Sequence, residues 1–128
     1  MRDIIFRGKR KHDGKWIEGY YTLVNPVDMP RSIRKPKSII FPITAECNWF
    51  NKYFYHATEV LPETVGQFTG LVDKYGTRIF EDDLVYNGVF LARVEFCDGR
   101  FYPFNGEDNM FFADECEVIN NIHDNPKF

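Results

Sequence analysis

The amino-acid sequence predicts a mainly β fold, a small barrel or sandwich of antiparallel hairpins with at most short helical turns. Asp-Gly and Asn-Gly pairs, which are typical of tight hairpin turns, occur at 13–14, 87–88 and 98–99. The segments around them are short and rich in β-branched and aromatic residues, as strands are. No segment shows the apolar periodicity of a long helix, so several closely spaced strands explain the pattern best.

Length and composition limit the size of this fold. The chain has 128 residues, of which 44% are hydrophobic, including 13 Phe, 7 Tyr and 2 Trp. These values predict a single domain over 1–128 and exclude a disordered tail or a multidomain enzyme. No apolar run reaches the roughly 20 residues of a membrane span, and the first residues contain no signal-peptide core. We therefore expect a cytoplasmic protein without membrane contact.

The first hairpin is predicted from strands at 3–9 and 15–23 on either side of Asp13-Gly14. Successive side chains of a strand point to opposite faces, and both faces of the second strand are mixed, so partial burial is expected on each. The two faces are Trp16, Glu18 and Tyr20 on one side and Ile17, Gly19 and Tyr21 on the other. Gly19 is expected to mark a bend or a bulge.

A loop or insert is predicted within 25–58. Residues 25–37 contain three prolines and four basic residues without apolar periodicity, which favours an exposed loop. Residues 38–44 have the composition of a strand, in which Pro42 favours an edge position or a bulge. Residues 47–56 hold five aromatic side chains and fit a helix or a strand equally well.

Strands and turns are also predicted throughout the second half of the chain. They are a short strand at 64–71, a turn at 73–76, one helical turn within 79–85 and a closing strand at 116–122. The pairs Asn87-Gly88 and Asp98-Gly99 predict a three-stranded meander with 89–96 as its middle strand. The residues of that strand expected to face the core are Phe90, Ala92, Val94 and Phe96.

Charge is unevenly distributed along the chain. Residues 1–37 carry ten of the sixteen basic residues and four of the nineteen acidic ones, a net charge of +6, whereas 38–128 carry −9. Such asymmetry is expected where a basic region contacts an anionic partner, where basic and acidic ends of different subunits meet, or where the two ends match within one fold. The sequence leaves these three alternatives open.

Basic and aromatic residues occur together near the N terminus, as in the grooves by which small barrels bind single-stranded nucleic acid. Lysines at a strand edge also discourage edge-to-edge pairing, and this alternative puts the aromatic side chains in the core. The candidate contact residues are Arg7, Lys9, Arg10, Lys11, Lys15, Arg31, Arg34, Lys35 and Lys37, with the aromatic residues Trp16 and Tyr20.

Catalytic and metal sites are not predicted. The acidic triplet at 81–83 could bind a divalent cation, but adjacent side chains seldom converge, so a helix N-terminus or a solvated turn is favoured. Cys97 with His56 or His123 could form a nucleophile, but a core thiol is favoured. The three Cys and three His lack metal-ligand spacing, and no Gly-rich phosphate-binding motif occurs. We expect no enzymatic activity, cofactor or metal.

Four segments together resemble the YopX family of small proteins encoded by phages and prophages. They are IIFRGKR followed by DGKWIEGY, then ETVGQFTGLVDKYGTRIFEDDLVY, RVEFCDGRFYPF and ECEVINNIHDNP. The resemblance implies a partly open, SH3-like barrel and a phage origin, but no established activity. Where the family pattern has Gly after I-F-E, this chain has Asp82. Either the bend there differs, or Asp82 carries a left-handed conformation, which Asp tolerates better than most residues.

Two functions are expected from these observations. The first is a non-enzymatic interaction module that self-associates, because the charge is divided and the aromatic content exceeds what one small core fills. The second is a nucleic-acid-binding accessory protein that uses the basic N-terminal hairpin and loop. The expected partners are therefore further copies of the chain, a host or phage protein, or nucleic acid.

Overall fold

The computed structural model confirms a mainly β protein. It describes residues 4–25, 30, 35–42, 57–104 and 111–125. Within these segments the helical elements are 3-10 turns of three residues. The chain groups into two compact units, which we call the N-terminal unit (residues 4–65) and the C-terminal unit (residues 66–128 with 1–3).

Four antiparallel strands form the described sheet of the N-terminal unit. They are β1 (Phe6–Lys9), β2 (Trp16–Val24), β3 (Lys37–Pro42) and β4 (Thr58–Glu59). Their order in the sheet is β4-β3-β2-β1. The predicted hairpin at Asp13-Gly14 is confirmed, and Gly14 has the positive φ of 71° that a tight turn favours.

One face of this sheet packs into the core of the N-terminal unit. Ile40 and Val60 are fully buried. A Cβ added to Gly8 would lie 3.1 Å from Cβ of Val60, so the strand approaches the core closely at this glycine. Ser38 is also buried, and its Oγ lies 3.1 Å from the hydroxyl of Tyr21. Polar and apolar groups therefore share this face, as the mixed pattern of β2 predicts.

Gly19 allows β2 and β3 to approach each other closely. It pairs with Phe6 on one side and Pro42 on the other without a register shift, so the expected bulge is absent. A Cβ at Gly19 would lie 1.9 Å from the carbonyl oxygen of Phe41, far inside van der Waals contact. Pro42 was predicted at an edge position or a bulge. It is instead the last residue of β3, where the hydrogen-bond ladder ends and a missing N–H does not interrupt it.

The described strands of the C-terminal unit are short and pair in three antiparallel groups. They are β5 (Gly66–Val72), β6 (Arg78–Phe80), β7 (Asp83–Tyr86), β8 (Leu91–Arg93), β9 (Glu95–Cys97), β10 (Arg100–Tyr102) and β11 (Glu117–Asn121). The groups are β5-β6, β11-β7-β8 and β9-β10. A 3-10 turn at Ala113–Glu115 precedes β11.

A hydrophobic cluster and a buried carboxylate hold the C-terminal unit together. The cluster consists of Ile79, Val85, Val94, Phe111 and Cys116. The carboxylate of Asp73 accepts hydrogen bonds of 2.8–3.0 Å from the backbone N–H groups of Tyr75, Thr77 and Val118. Burial alone would raise the pKa of Asp73, but these donors outweigh it and hold the pKa below its usual value. The turn at 73–76 is thereby fixed to β11.

The helical turn predicted within 79–85 is wrong. β6 and β7 are joined by a tight turn at Glu81-Asp82, and Asp82 has a positive φ of 70°. Asp82 therefore carries the left-handed conformation at the position where the family pattern has glycine. The flanking residues Ile79 and Val85 are completely buried, and burial of these β-branched side chains in strands outweighs the tendency of acidic residues to start a helix.

The predicted middle strand of the meander is broken at Val94. β8 pairs with β7, whereas β9 pairs with β10, so one long strand is replaced by two short ones. Val94 is buried and Ala92 is half-buried as expected. Phe90 and Phe96 are 60% and 53% exposed, so the prediction that they face the core is wrong. The backbone of Val94 bonds to the β6–β7 turn, which ends the alternation.

Two turn predictions in this region have different outcomes. The Asp98-Gly99 hairpin is confirmed, because Cys97 pairs with Arg100 and both turn residues have positive φ. The Asn87-Gly88 pair begins a longer loop, because Tyr86 pairs with Leu91. There the Asn87 side chain accepts hydrogen bonds from the N–H groups of Val89 and Phe90.

The strands described in either unit do not close into a barrel, and the SH3-like topology stays a prediction. The single domain over 1–128 is likewise a prediction. The interpretations of 47–56 and of most of the loop at 25–37 fall outside the described residues. No helix in the described part of the chain is long and apolar enough to cross a membrane.

Candidate interaction surfaces

One face of the N-terminal sheet combines cationic and aromatic side chains. In the β1–β2 register Lys9 lies opposite Trp16 and Arg7 lies opposite Glu18. Directly opposed residues of an antiparallel pair share a face, and alternation along β2 adds Tyr20 to it. We call Arg7, Lys9, Trp16, Glu18 and Tyr20 the basic–aromatic face.

The indole of Trp16 supports both cations of this face. The guanidinium carbon of Arg7 lies 4.6 Å from the ring centroid, and Nζ of Lys9 lies 5.4 Å from it. Both distances are within the range of cation–π attraction. Trp16 itself is half-buried, so the two cations are held over a partly covered ring.

Tyr20 presents a more accessible ring than Trp16. Its side chain is 48% exposed, and it lies directly opposite Phe41 of β3, which is half-buried. On the other face of the sheet, Tyr21 packs on Phe6 with ring centroids 5.4 Å apart. Neither of the two aromatic candidates belongs to the buried core, contrary to the interpretation that puts these rings inside.

Three further predicted cations lie near the end of the first hairpin. The guanidinium of Arg10 pairs with the carboxylate of Asp13, and Nζ of Lys11 lies 3.2 Å from Oε2 of Glu59. The side-chain hydrogen bond from Arg10 and the backbone N–H of Lys15 lower the pKa of Asp13 to about 2. Because carboxylates accompany Arg10 and Lys11, the hairpin end is less positive than its sequence suggests.

The remaining predicted cations lie elsewhere. Lys37 is exposed and pairs with Val24, and alternation assigns it to the same face as Tyr20, at the far end of β2. Lys35 is exposed outside the strands. Arg31 and Arg34 lie outside the described residues. The structure therefore brings Arg7 and Lys9 together with the two aromatic candidates, whereas Arg10, Lys11 and Lys15 lie near the end of the hairpin.

The division of charge follows the division into units. Over the full sequence, the N-terminal unit carries ten basic and six acidic residues, a net charge of +4. The C-terminal unit carries six basic and thirteen acidic residues, a net charge of −7. The basic–aromatic face therefore belongs to the cationic unit.

Sequence reasoning missed an apolar groove in the C-terminal unit. Two depressions with volumes of about 460 and 450 Å³ share Leu71 and Phe104. We call this continuous surface the apolar groove. Its first half also includes Val72, Phe112 and Asp114, and its second half includes Phe96, Arg100 and Phe101.

Several side chains of the apolar groove are exposed. Leu71 is 38%, Phe96 53% and Phe112 56% exposed. Strand alternation assigned Phe96 to the core, and only the break at Val94 turns it outward. The two adjacent Phe residues at 111–112 could have indicated an exposed apolar side chain, because neighbouring residues of an extended segment cannot both face one core.

The chemical candidates have separate partners in the structure. The three carboxylates of the acidic triplet point to different partners. Glu81 accepts a hydrogen bond from the backbone N–H of Gln67, and Asp83 accepts one from the backbone N–H of Phe80. Asp82 contacts Arg93 and His123. Glu81 and Asp82 form a turn and Asp83 begins β7, so the interpretation of the triplet as a helix start is wrong. Among the described residues, no three His, Cys, Asp or Glu side chains are arranged to hold a metal ion.

The two described cysteines are free thiols in different environments. Cys97 is exposed, so its interpretation as a core thiol is wrong. Cys116 is buried, and burial raises the pKa of its thiol to about 11. Nε2 of His123 lies 3.0 Å from the carboxylate of Asp82, and His56 lies outside the described residues.

Comparison with known proteins identifies the family. The family model described as YopX protein matches residues 5–128. The crystal structure of protein EF1440 from Enterococcus faecalis is similar in fold, with a TM-score of 0.54 and 21% identity over 99% of this chain and 98% of that chain. A search of curated proteins finds no significant match. Because the family model spans nearly the whole sequence, the chain belongs to the YopX family.

Proposed function

We propose that this chain is a non-enzymatic interaction module that self-associates through the apolar groove of its C-terminal unit. The observation that carries the proposal is the exposure of Leu71, Phe96 and Phe112 around two depressions that share Leu71 and Phe104. Contiguous exposed apolar surface gains free energy when it is covered and marks interaction sites. Most soluble oligomers consist of copies of one chain, which makes a second copy the occupant of choice.

Opposite charges in the two halves of the groove favour a twofold pair. Asp114 lies in one half of the groove and Arg100 in the other, with Leu71 and Phe104 shared between the halves. In a twofold interface the same patch meets itself in the reversed direction. Arg100 of one copy would then approach Asp114 of the second copy, while the apolar side chains meet near the axis.

The proposal extends to an accessory role for a phage or prophage in the cytoplasm of its bacterial host. Membership of the YopX family supports the phage origin. An exposed free thiol at Cys97 suits a reducing compartment.

Sedimentation velocity at micromolar protein concentration tests the self-association. Because the proposed contact is apolar, we expect the same oligomer at ~50 mM and ~500 mM salt. A strict monomer in both conditions would remove the proposal. An oligomer that dissociates only at high salt would contradict the groove and indicate contacts between the basic and acidic units instead.

A charged substitution in the groove sharpens this test. Phe112→Glu should weaken self-association at least about tenfold, because it buries a carboxylate in an apolar contact. Val89→Glu is the matched control, since Val89 is apolar, 73% exposed and outside the groove. Unchanged circular dichroism spectra and melting temperatures would show that both variants keep the fold. Equal weakening by the two substitutions would contradict the assignment to the groove.

A further inference from the structure

We infer that the basic–aromatic face of the N-terminal unit binds single-stranded nucleic acid, with Arg7 and Lys9 on phosphates and Tyr20 stacked on a base. This function goes beyond self-association and uses the other unit of the chain. Duplex nucleic acid and acidic polypeptides are the competing occupants, and the tests below separate them.

The cations of this face are held in position before any ligand arrives. Arg7 and Lys9 lie 4.6 and 5.4 Å from the ring centroid of Trp16, which restricts two otherwise mobile side chains. A preorganised cation loses less conformational entropy when it contacts a phosphate. Neutralisation of phosphates by Lys and Arg supplies most of the sequence-independent affinity for nucleic acid. Trp16 therefore acts as a positioning residue for the phosphate contacts.

Tyr20 is the stacking residue because its ring is accessible. The indole of Trp16 is half-buried beneath two cations, whereas Tyr20 is 48% exposed. Stacking of a base on an aromatic side chain tolerates any base, so this contact requires no particular nucleotide sequence. Phe41, directly opposite Tyr20 on β3, extends the aromatic surface on the same face.

The length and shape of the face fit a single strand. On β2, Trp16 pairs with Lys9 of β1 and Val24 pairs with Lys37 of β3. Cations therefore lie at both ends of a strand segment about 26 Å long. This length covers several nucleotides, as single-strand sites do. A broad sheet surface does not enter a duplex groove, which admits a helix or a two-stranded ribbon. Unstacked bases can instead lie on such a surface.

Opposing charges limit the expected affinity. Glu18 belongs to the same face and is paired with Arg7 across the two strands. The C-terminal unit carries a net charge of −7. Both reduce the attraction for phosphates, so binding should be measurable at low salt and should weaken steeply as salt rises. In a plot of the logarithm of the association constant against the logarithm of the salt concentration, the slope should be about −0.7 for each contacted phosphate.

Fluorescence anisotropy with a labelled oligo(dT) of about 15 nucleotides tests the phosphate contacts. Lys9→Glu should weaken binding at ~50 mM salt at least about tenfold and reduce the salt slope. Lys74→Glu is the matched control, because it changes the net charge equally at an exposed lysine near the ring of Tyr75 in the C-terminal unit. Lys74→Glu should leave the affinity within about twofold. Lys9→Gln repeats the test if the melting temperature of Lys9→Glu falls.

The same assay with Tyr20→Leu tests the stacking contact. This substitution should weaken binding about tenfold while the salt slope stays unchanged, because stacking releases no counterions. Tyr75→Leu is the control, since Tyr75 is 70% exposed and also lies beside a lysine. It should bind oligo(dT) as the wild-type protein does.

Several results would overturn the inference. They are no binding to oligo(dT) at ~50 mM salt, equal weakening by Lys9→Glu and Lys74→Glu, or tighter binding to a duplex of the same length. Displacement of the oligonucleotide by polyglutamate, combined with an unaffected Tyr20→Leu variant, would assign the face to an acidic protein. Phe112→Glu should still bind oligo(dT), so failure of this inference is distinguishable from failure of the proposed self-association.

Discussion

In the N-terminal unit the fully buried Ile40 and Val60 are aliphatic, and the rings of Trp16 and Tyr20 lie on a cationic sheet face. In the C-terminal unit an aromatic side chain, Phe111, belongs to the buried cluster, and other rings line an apolar groove. Among the described residues, the two units therefore place aromatic side chains in different surroundings.

This difference shows that aromatic content alone does not identify a core. Where rings alternate with cations on one strand face, as on β1 and β2, they remain partly accessible beside charged groups. Where rings follow a break in alternation, as Phe96 follows Val94, they become exposed beside an intact core. The first pattern is suited to an anionic ligand and the second to an apolar contact.

The largest effect is expected from a cavity in the core of the C-terminal unit. Ile79 is completely buried within the hydrophobic cluster. Ile79→Ala should lower the free energy of unfolding by about 2–5 kcal/mol in urea denaturation. Ile119→Ala is the control at a 44% exposed position of the same unit, and it should cost less than about 1 kcal/mol. Equal losses would show that the cluster does not stabilise this unit preferentially.

In the N-terminal unit, a comparable effect should come from the backbone. A Cβ at Gly19 would lie 1.9 Å from the carbonyl oxygen of Phe41, so Gly19→Ala must displace β3. We expect a loss of roughly 1–3 kcal/mol or more, measured by urea denaturation. Gly8→Ala should cost less, because its nearest neighbours at 3.1–3.3 Å are side-chain atoms of Val60 and Ile40 that can shift. The opposite ranking would contradict the described β2–β3 register.

Asp73→Asn should destabilise the C-terminal unit by about 1–3 kcal/mol at neutral pH, because one carboxylate oxygen that accepts backbone N–H groups becomes a donor. The pKa of folded Asp73 lies below 3.8, so its ionised form stabilises the fold above the unfolded-state pKa. This contribution is lost as the pH falls through the folded-state pKa. The difference in unfolding free energy between the two proteins should therefore shrink below about pH 4.

A control for this pH dependence is Asp98→Asn, which changes an exposed carboxyl group in the β9–β10 turn. Asn tolerates the positive φ of 51° found there, so its effect should be small at every pH. If the difference in unfolding free energy between the wild-type protein and Asp73→Asn grows as the pH falls, the hydrogen bonds at the 73–76 turn do not favour the ionised carboxylate.

The smallest effect is expected from Asp82→Asn. Asp82→Asn keeps a side chain that tolerates a φ of 70° but removes the carboxylate charge, which contacts His123 and the 46% exposed Arg93. The loss should be below about 1 kcal/mol, because solvent screens exposed pairs. Asp82→Ala should cost about 1–2 kcal/mol more, since Ala is strained in the left-handed region. Equal melting temperatures for the two variants would contradict the account of this turn.

The sequence predicted features that depend on adjacent residues. The hairpin turns at Asp13-Gly14 and Asp98-Gly99, the alternating faces of β2 and the left-handed option at Asp82 are all set by local backbone preferences. Trp16 and Tyr20 were predicted to share a face because alternation along β2 is regular, whereas Arg7 and Lys9 were named only because they are close in sequence.

Features that depend on distant residues could not be predicted. Lys11 pairs with Glu59, 48 positions away, and Val118 donates to Asp73, 45 positions away. The break at Val94 follows from hydrogen bonds to the β6–β7 turn, and it exposes Phe96 to the apolar groove. Such contacts arise from tertiary packing, which overrides the local period of a strand.

The separate use of the two units is tested most directly by sedimentation velocity of Lys9→Glu and Phe112→Glu without nucleic acid. The account predicts that Lys9→Glu sediments as the wild-type oligomer and Phe112→Glu as a monomer. A monomeric Lys9→Glu together with an oligomeric Phe112→Glu would contradict it, because assembly would then depend on the cationic face and not on the groove.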